Sequence, residues 1–492
     1  MSLYIGADLG TSSLKLMLTD RDGNKIRVLS KSYEVYYPEN LYSEQNANDW
    51  WDAFVSGVSE LTDGYDPEDV KGISISGQMH GLVALDEKDN LVRPVILWND
   101  GRSYKETDYL NCEIGKEKLI SLTGNIAFPG FTAPKILWVK NNEPELFARI
   151  RKIMLPKDFV NYKLTGVFAS DYSDAAGTLL LDVENKCWSD EMLKICSLTD
   201  DMLPRLYDSY ELIGSVKAEI AASMGLSKDT KVFAGGADNA LAAIGCGAVG
   251  SEGANISIGT SGTLLVSRGE YNTVKSGAIH SFCHADGGYY LMGCMLSAAS
   301  CNKWFYESIL RDDGYDEIQG EIDASMLGEN RVYFLPYLTG ERSPINDPFA
   351  SGMFIGLTPD TKRADMALAI LEGIAFAIKD SLEALLEEGI KINKSALCGG
   401  GARSDVFRKI LAAVLDTELY IPVAEEGPAM GGAMLAMVGC GEYQSVVECA
   451  KELVKYKGSV RPDETLVNKY REKYNKYKKI YPSVKNLYKE LY

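Results

Sequence analysis

Two stretches half a chain apart repeat one pattern: LYIGADLGTSSLKLML at residues 3–18 and NISIGTSGTLLV at residues 255–266. Each is an apolar strand, a turn built on Gly-Thr-Ser, and a second apolar strand. Leu14, Leu16 and Leu18 alternate as one buried face of a strand does. Repetition of this kind implies a duplicated unit. A chain of 492 residues also exceeds what one core usually holds. The expectation is therefore two lobes, 1–248 and 249–492, with a boundary near Ala248–Ser251. Each lobe should carry a mixed five-stranded sheet flanked by helices, and the two turns should face each other across a cleft.

The turns suggest their own chemistry. Gly10, Thr11 and Ser12 on one side and Gly259 and Thr260 on the other offer amide and hydroxyl donors from opposite walls. Such turns clasp phosphates without lysines. Asp8 is the carboxylate beside the first turn, and it suits a hydrated Mg²⁺, which takes one or two carboxylates plus phosphate oxygens. A net charge of −18 argues against nucleic acid as a partner. The ten cysteines include no C-x-x-C pair, which reads as reduced thiols in a cytoplasmic protein. No basic leader precedes an apolar core, and no run of 18 apolar residues suggests a membrane span.

At the middle lies KVFAGGADNALAAIGCGAVG, residues 231–250. Val232–Ala234 reads as a strand that stops at Gly235-Gly236, leaving its end open to a ligand. Asp238 then stands at the start of a small-residue helix, either as its N-cap or as an exposed carboxylate with Asn239 beside it. A second strand, Lys71–Ile75, runs into Ser76-Gly77-Gln78-Met79-His80-Gly81. Asp100 and Arg102 read equally well as a structural ion pair or as part of a functional loop. Further helices are expected from Asn48, after Pro134, over Ala364–Leu386 and over Asp405–Leu415. Gly399, Gly400, Gly401 and Gly431 mark places where backbone can approach closely. Tyr470, Tyr474, Tyr477 and Tyr481 form one helical stripe, which reads as a packing face.

Two apparent motifs carry little. Gly245-Cys-Gly247-Ala-Val-Gly250 spells a dinucleotide string but follows a helix rather than a strand. No G-x-x-x-x-G-K-[ST] run exists. His280, Cys283 and His284 have no further ligand pair at zinc spacing.

The assembled residues resemble the FGGY carbohydrate kinases, of the actin, Hsp70 and hexokinase-like (ribonuclease H-like) two-lobed ATPase superfamily. The similarity runs from DLGTSSLK at Asp8 through GGADNA at Gly235 to GPAMGGA at Gly427. It includes two long family stretches: Gly130–Asn142, with Thr132, Lys135, Trp138 and Asn142, and Gly352–Glu372. Within the family, the loop Ser76–Gly81 and the run Pro129–Val139 are similar to the bacterial xylulokinase form. The resemblance implies MgATP and D-xylulose as ligands and D-xylulose 5-phosphate as product, a step in D-xylose catabolism. It also implies Gln78, Met79, His80, Asp238 and Asn239 as sugar contacts and Asp238 as general base. Gly10, Thr11, Ser12, Gly259 and Thr260 would hold phosphates, and Gly399, Gly400, Gly401 and Gly431 would face adenosine. A homodimer stays open. The alternatives are a kinase of another ketose or polyol, such as ribulose, and an Hsp70-like ATP-driven binding protein.

Overall fold

The computed structural model describes residues 1–311, 314–424 and 426–491. The first sheet is built from β1 (Leu3–Leu9), β2 (Ser13–Asp20), β3 (Lys25–Ser32), β4 (Val70–Gly77), β5 (Leu212–Ser215), β6 (Lys231–Phe233) and β7 (Gly236–Ala237). Its order is β5-β6-β4-β1-β2-β3, with β7 also paired to β4. The second sheet contains β8 (Ala254–Ile258), β9 (Gly262–Arg268), β10 (His280–Cys283), β11 (Tyr289–Met295), β12 (Lys394–Cys398), β13 (Glu418–Pro422) and β14 (Tyr456–Val460). Its order is β10-β11-β9-β8-β12-β13-β14.

The duplication is visible in the pairing sense. Across β3-β2-β1-β4-β6-β5 the pairs run antiparallel, antiparallel, parallel, parallel, antiparallel. Across β11-β9-β8-β12-β13-β14 they follow the same series. β10 extends the second sheet beyond this shared plan, and β7 extends the first. Each sheet thus has seven strands rather than the five expected. The additional strands are short or lie at an edge, as with LIGS and YKGSV, where apolar alternation is weak.

Helices cover the sheets: α1 (Ala47–Thr62), α2 (Thr132–Asn142), α3 (Pro156–Thr165), α4 (Asp238–Gly245), α5 (Arg363–Glu387), α6 (Asp405–Leu415), α7 (Gly427–Cys440) and α8 (Glu464–Tyr477). α7 belongs by chain position to the second half, yet it packs on the first sheet. A Cβ on Gly6 of β1 would lie 1.8 Å from the Ala429 carbonyl oxygen, and one on Gly432 would lie 2.9 Å from that of Ser74. Backbone-to-backbone contact this close requires glycine on one side. Three tyrosines of the expected stripe pack as expected, whereas Tyr481 falls in the next helix, Ile480–Leu491, because α8 ends at Tyr477. Tyr470, Tyr474 and Tyr477 of α8 surround Phe376 of α5 with ring centroids 6.2, 5.7 and 4.9 Å away.

Candidate active site

Strand register brings the first-lobe residues together. Leu9, Gly77 and Ala237 sit side by side at the carboxyl ends of three parallel strands. One residue beyond each lie Gly10, Gln78 and Asp238. Loops at the carboxyl ends of parallel strands are where α/β folds place their ligands. Gly235 makes the last turn: its φ is +75°, and a Cβ there would lie 2.1 Å from the Ile75 carbonyl oxygen.

Asp238 opens α4, but Ala237 occupies the N-cap position, and no side chain caps this helix. The capping alternative therefore gives no reason for an aspartate here. Asp238 Oδ1 accepts from the Asn239 amide at 2.6 Å and from Asn239 Nδ2 at 2.7 Å, while Oδ2 has no such partner among the described residues. Its side chain keeps some contact with solvent but lies within dense surroundings. Burial, and then the nearby Asp8 carboxylate, push its pKa up to about 7. Burial likewise raises Asp8 to about 6, with Lys15 pulling the other way. Two carboxylates at one strand edge, both under-compensated, are arranged to take up a proton or a cation.

The sugar-loop candidates follow β4. Gln78 donates its amide to Leu9 O at 2.8 Å, and its side chain donates to Gln45 Oε1 at 3.0 Å. Asn239 Nδ2 approaches Met79 Sδ at 3.7 Å. His80 adopts φ +69°, and its Nδ1 lies 2.6 Å from the Gly177 carbonyl. A carbonyl partner assigns the proton to Nδ1, which leaves Nε2 as the acceptor. Burial, Lys135 and Arg342 all lower the His80 pKa, so the ring is neutral. Gly177 is glycine for a local reason, since a Cβ would meet the His80 ring at 2.7 Å.

The phosphate-turn candidates lie at the ends of β1 and β8. Thr11 Oγ1 accepts from Trp98 Nε1 at 2.9 Å, and Ser12 is exposed. In the second turn the carbonyls of Gly259 and Thr260 are tied back to the amides of Ala299 and Ala298 at 2.9 and 2.8 Å. That engagement removes two oxygens that would repel an anion. β8 lies beside β12, so Gly399, Gly400 and Gly401 come next to this turn. Gly399 has φ +86° and its Cα faces the Ile258 carbonyl, whereas Gly400 faces open space.

Gly431 stands apart from this group. It is buried inside the contact between α4 and α7, where a Cβ would sit 2.1 Å from the Leu241 carbonyl oxygen. Helix packing explains this glycine, and the expected open approach to adenosine does not apply to it. Asp100 and Arg102 resolve as an ion pair: Arg102 Nη2 lies 2.7 Å from Asp100 Oδ2, and Nη1 lies 2.7 Å from Glu44.

Other residues join the site, two of them, Thr132 and Lys135, from the family stretch Gly130–Asn142 to which no site role was given. Lys135 is buried, and its Nζ donates to the carbonyls of His80 and Gly130; Thr132 Oγ1 also donates to His80 O, at 3.1 Å. The start of α2 thus holds the backbone of the sugar loop. From the second sheet, the Phe282 ring of β10 lies 6.5 Å from the His80 ring. Burial and then the Asp238 charge hold the Tyr290 hydroxyl of β11 above its ordinary range, so Asp238 faces that sheet.

Residues 3–245 match the N-terminal domain, and residues 254–440 the C-terminal domain, of the FGGY family of carbohydrate kinases. The chain is 40% identical to the xylulose kinase of Escherichia coli K12 over 484 residues, covering 97% of this chain and 98% of that one. It is 38% identical to the xylulose kinase of Bacillus subtilis 168, covering 99% and 98%. The crystal structure of a xyloylose kinase from Brucella ovis superposes with a TM-score of 0.93 at 38% identity, covering 99% of this chain and all of the other. The chain belongs to the FGGY family of carbohydrate kinases.

Proposed function

We propose that this ATP-dependent carbohydrate kinase phosphorylates D-xylulose, moving the γ-phosphoryl of ATP to the sugar's terminal hydroxyl and releasing ADP. Relatives at 36–40% identity over nearly their full length are xylulose kinases, and the sugar loop carries the same Met79-His80 pair on which the resemblance rests. The observation that carries the mechanism is the common strand edge of Asp8, Gln78 and Asp238.

In this reading Asp238 Oδ2 accepts the hydroxyl proton as the P–O bond forms. A base with a pKa near neutrality is well matched to that task, and such assistance is worth ~10²–10⁴ in rate. Asn239 holds the other carboxylate oxygen and so aims the free one. His80 Nε2 accepts from a sugar hydroxyl, and Met79 gives the sugar an apolar wall. Gly10–Ser12 and Gly259–Thr260 hold the phosphates, with Gly399–Gly401 beside the nucleoside. The Asp8 carboxylate has the chemistry to hold Mg²⁺: one hard oxygen ligand, which burial raises in pKa to about 6 against the pull of Lys15. Bound with ATP, Mg²⁺ neutralises phosphate charge; Asp8 contributes its position. Most of the remaining catalysis is orientation and charge stabilisation.

An ADP-release assay across D-xylulose, D-ribulose, gluconate and glycerol tests the substrate. Xylulose should stimulate turnover most. A higher kcat/KM for any of the others, or stimulation by unfolded peptide without sugar, would overturn the reading.

A further inference from the structure

Behind the Asp238 edge lies a buried ionic cluster that the mechanism above leaves unused. Lys157 of α3 is sealed from solvent with Asp158, Asp171 and Asp174, each exposed by 1% or less. Its Nζ lies 2.5 Å from Asp158 Oδ1, 2.9 Å from Asp171 Oδ1 and 3.6 Å from Asp174 Oδ2. Burying four ionisable side chains together is costly and rarely improves stability over apolar packing. A structural role alone is therefore a weak account of this cluster.

The cluster reaches Asp238 through hydrogen bonds of defined direction. Asp171 Oδ2 accepts from Ser173 N at 2.8 Å, Ser173 Oγ at 2.5 Å and Ser209 Oγ at 2.8 Å. Asp171 is the N-cap of the helical turn Tyr172–Ala175, which explains the first of these bonds and neither of the others. A serine hydroxyl has one proton. Since Ser173 gives it to Asp171, its oxygen can only accept, and it does so from the Ala237 amide at 3.0 Å. Ala237 is the residue before Asp238 and the N-cap of α4. The adjoining Gly236 has no room for a Cβ, which would lie 2.8 Å from Ser173 Oγ and 2.5 Å from Leu241.

We propose that Ser173, oriented by Asp171 and Lys157, is a positioning residue that sets the Asp238 carboxylate against the acceptor hydroxyl by holding the Ala237 amide. The proposal takes Asp238 to be the base. Small displacements of a reacting group cost much in turnover and little in binding.

Ser173→Ala should lower kcat ~10-fold or more and leave KM for D-xylulose and MgATP within about threefold. Ser209→Ala removes a hydroxyl from the same Asp171 oxygen but leaves the Ala237 bond, and should cost less than about twofold in kcat. Equal losses from the two variants would reduce the cluster to a structural one and overturn the proposal. The pH profile of Ser173→Ala should drop in height with its acid limb in place; a shift of the limb by about one unit would mean an electrostatic role and also overturn it. In the Asp238→Asn background Ser173→Ala should add no further loss, and an additive loss counts against action through Asp238. Normal turnover of Asp238→Asn by itself would instead remove the base and this inference with it. If Ser173→Ala does not fold, Ala237→Pro deletes the donor from the other side. The Ala237 φ of −58° already suits proline. That variant should show the same kcat loss, and retention of parental turnover would overturn the proposal.

Discussion

Asp238 has one carboxylate oxygen saturated by Asn239 and the other free, and this division separates its chemistry from its fold. Asparagine can keep the bonds to Asn239 and lose only the capacity to accept a proton at neutral pH. Asp238→Asn should therefore melt within a few degrees of the parent and lose ~10²-fold or more in turnover, as measured on one preparation. The pKa of about 7 predicts the pH dependence. Burial and Asp8 favour the protonated, inactive form, so kcat/KM should rise about tenfold per unit up to about pH 7 and flatten above it. A flat profile from pH 5 to 8 would exclude this base. His80 calls for a different substitution, because its φ of +69° lies where asparagine is tolerated better than alanine. His80→Asn should cut kcat/KM for D-xylulose ~10-fold or more while basal ATP hydrolysis stays within about twofold. Equal losses in both reactions would make His80 a packing residue.

Elements carry the site through close backbone contacts. α7 touches β1 at Gly6, β4 beside Gly432, and α4 at Gly431 and Gly427. These contacts hold the start of α4, and so Asp238, against the strand edge that carries Asp8. At Gly431 an added methyl would meet the Leu241 carbonyl oxygen, and backbone cannot swing aside as a side chain tip does. Gly431→Ala should thus destabilise the protein by about 2–3 kcal/mol in urea unfolding, in the range typical of overpacking. Unchanged stability would show that α4 and α7 are further apart than described. Lys135 and Thr132 do similar work on the other side, where α2 fixes the His80 carbonyl.

On the scale of the whole molecule, two sheets of one pairing plan each present a turn, and the proposed reaction has one nucleotide engage both. Binding should draw the lobes together, as is common where closure excludes water from phosphoryl transfer. Small-angle scattering should therefore give a smaller radius of gyration with D-xylulose and a non-hydrolysable MgATP analogue than without ligands. Identical curves would count against closure. Much of this architecture was legible in the chain, because its signals are local. Turn residues and strand alternation mark both hairpins, and 3.6-residue periodicity places α5 and α6 to within about a residue at each end. Tertiary structure decided the rest. Strand count depended on edge strands such as LIGS and YKGSV, whose partners are distant and whose own pattern is faint. Asp100 and Arg102 pair directly, but that the pair is buried and shares its guanidinium with Glu44 from elsewhere in the chain only the tertiary structure decided. Lys157, Asp171 and Asp174 come together only in the folded chain, because a buried charge looks like a surface one until its partners are known. The sequence by itself determined which chemical groups stand at the strand ends. Only register, set by hydrogen bonds between segments about 70 and about 160 residues apart, placed Asp8, Gln78 and Asp238 on one edge.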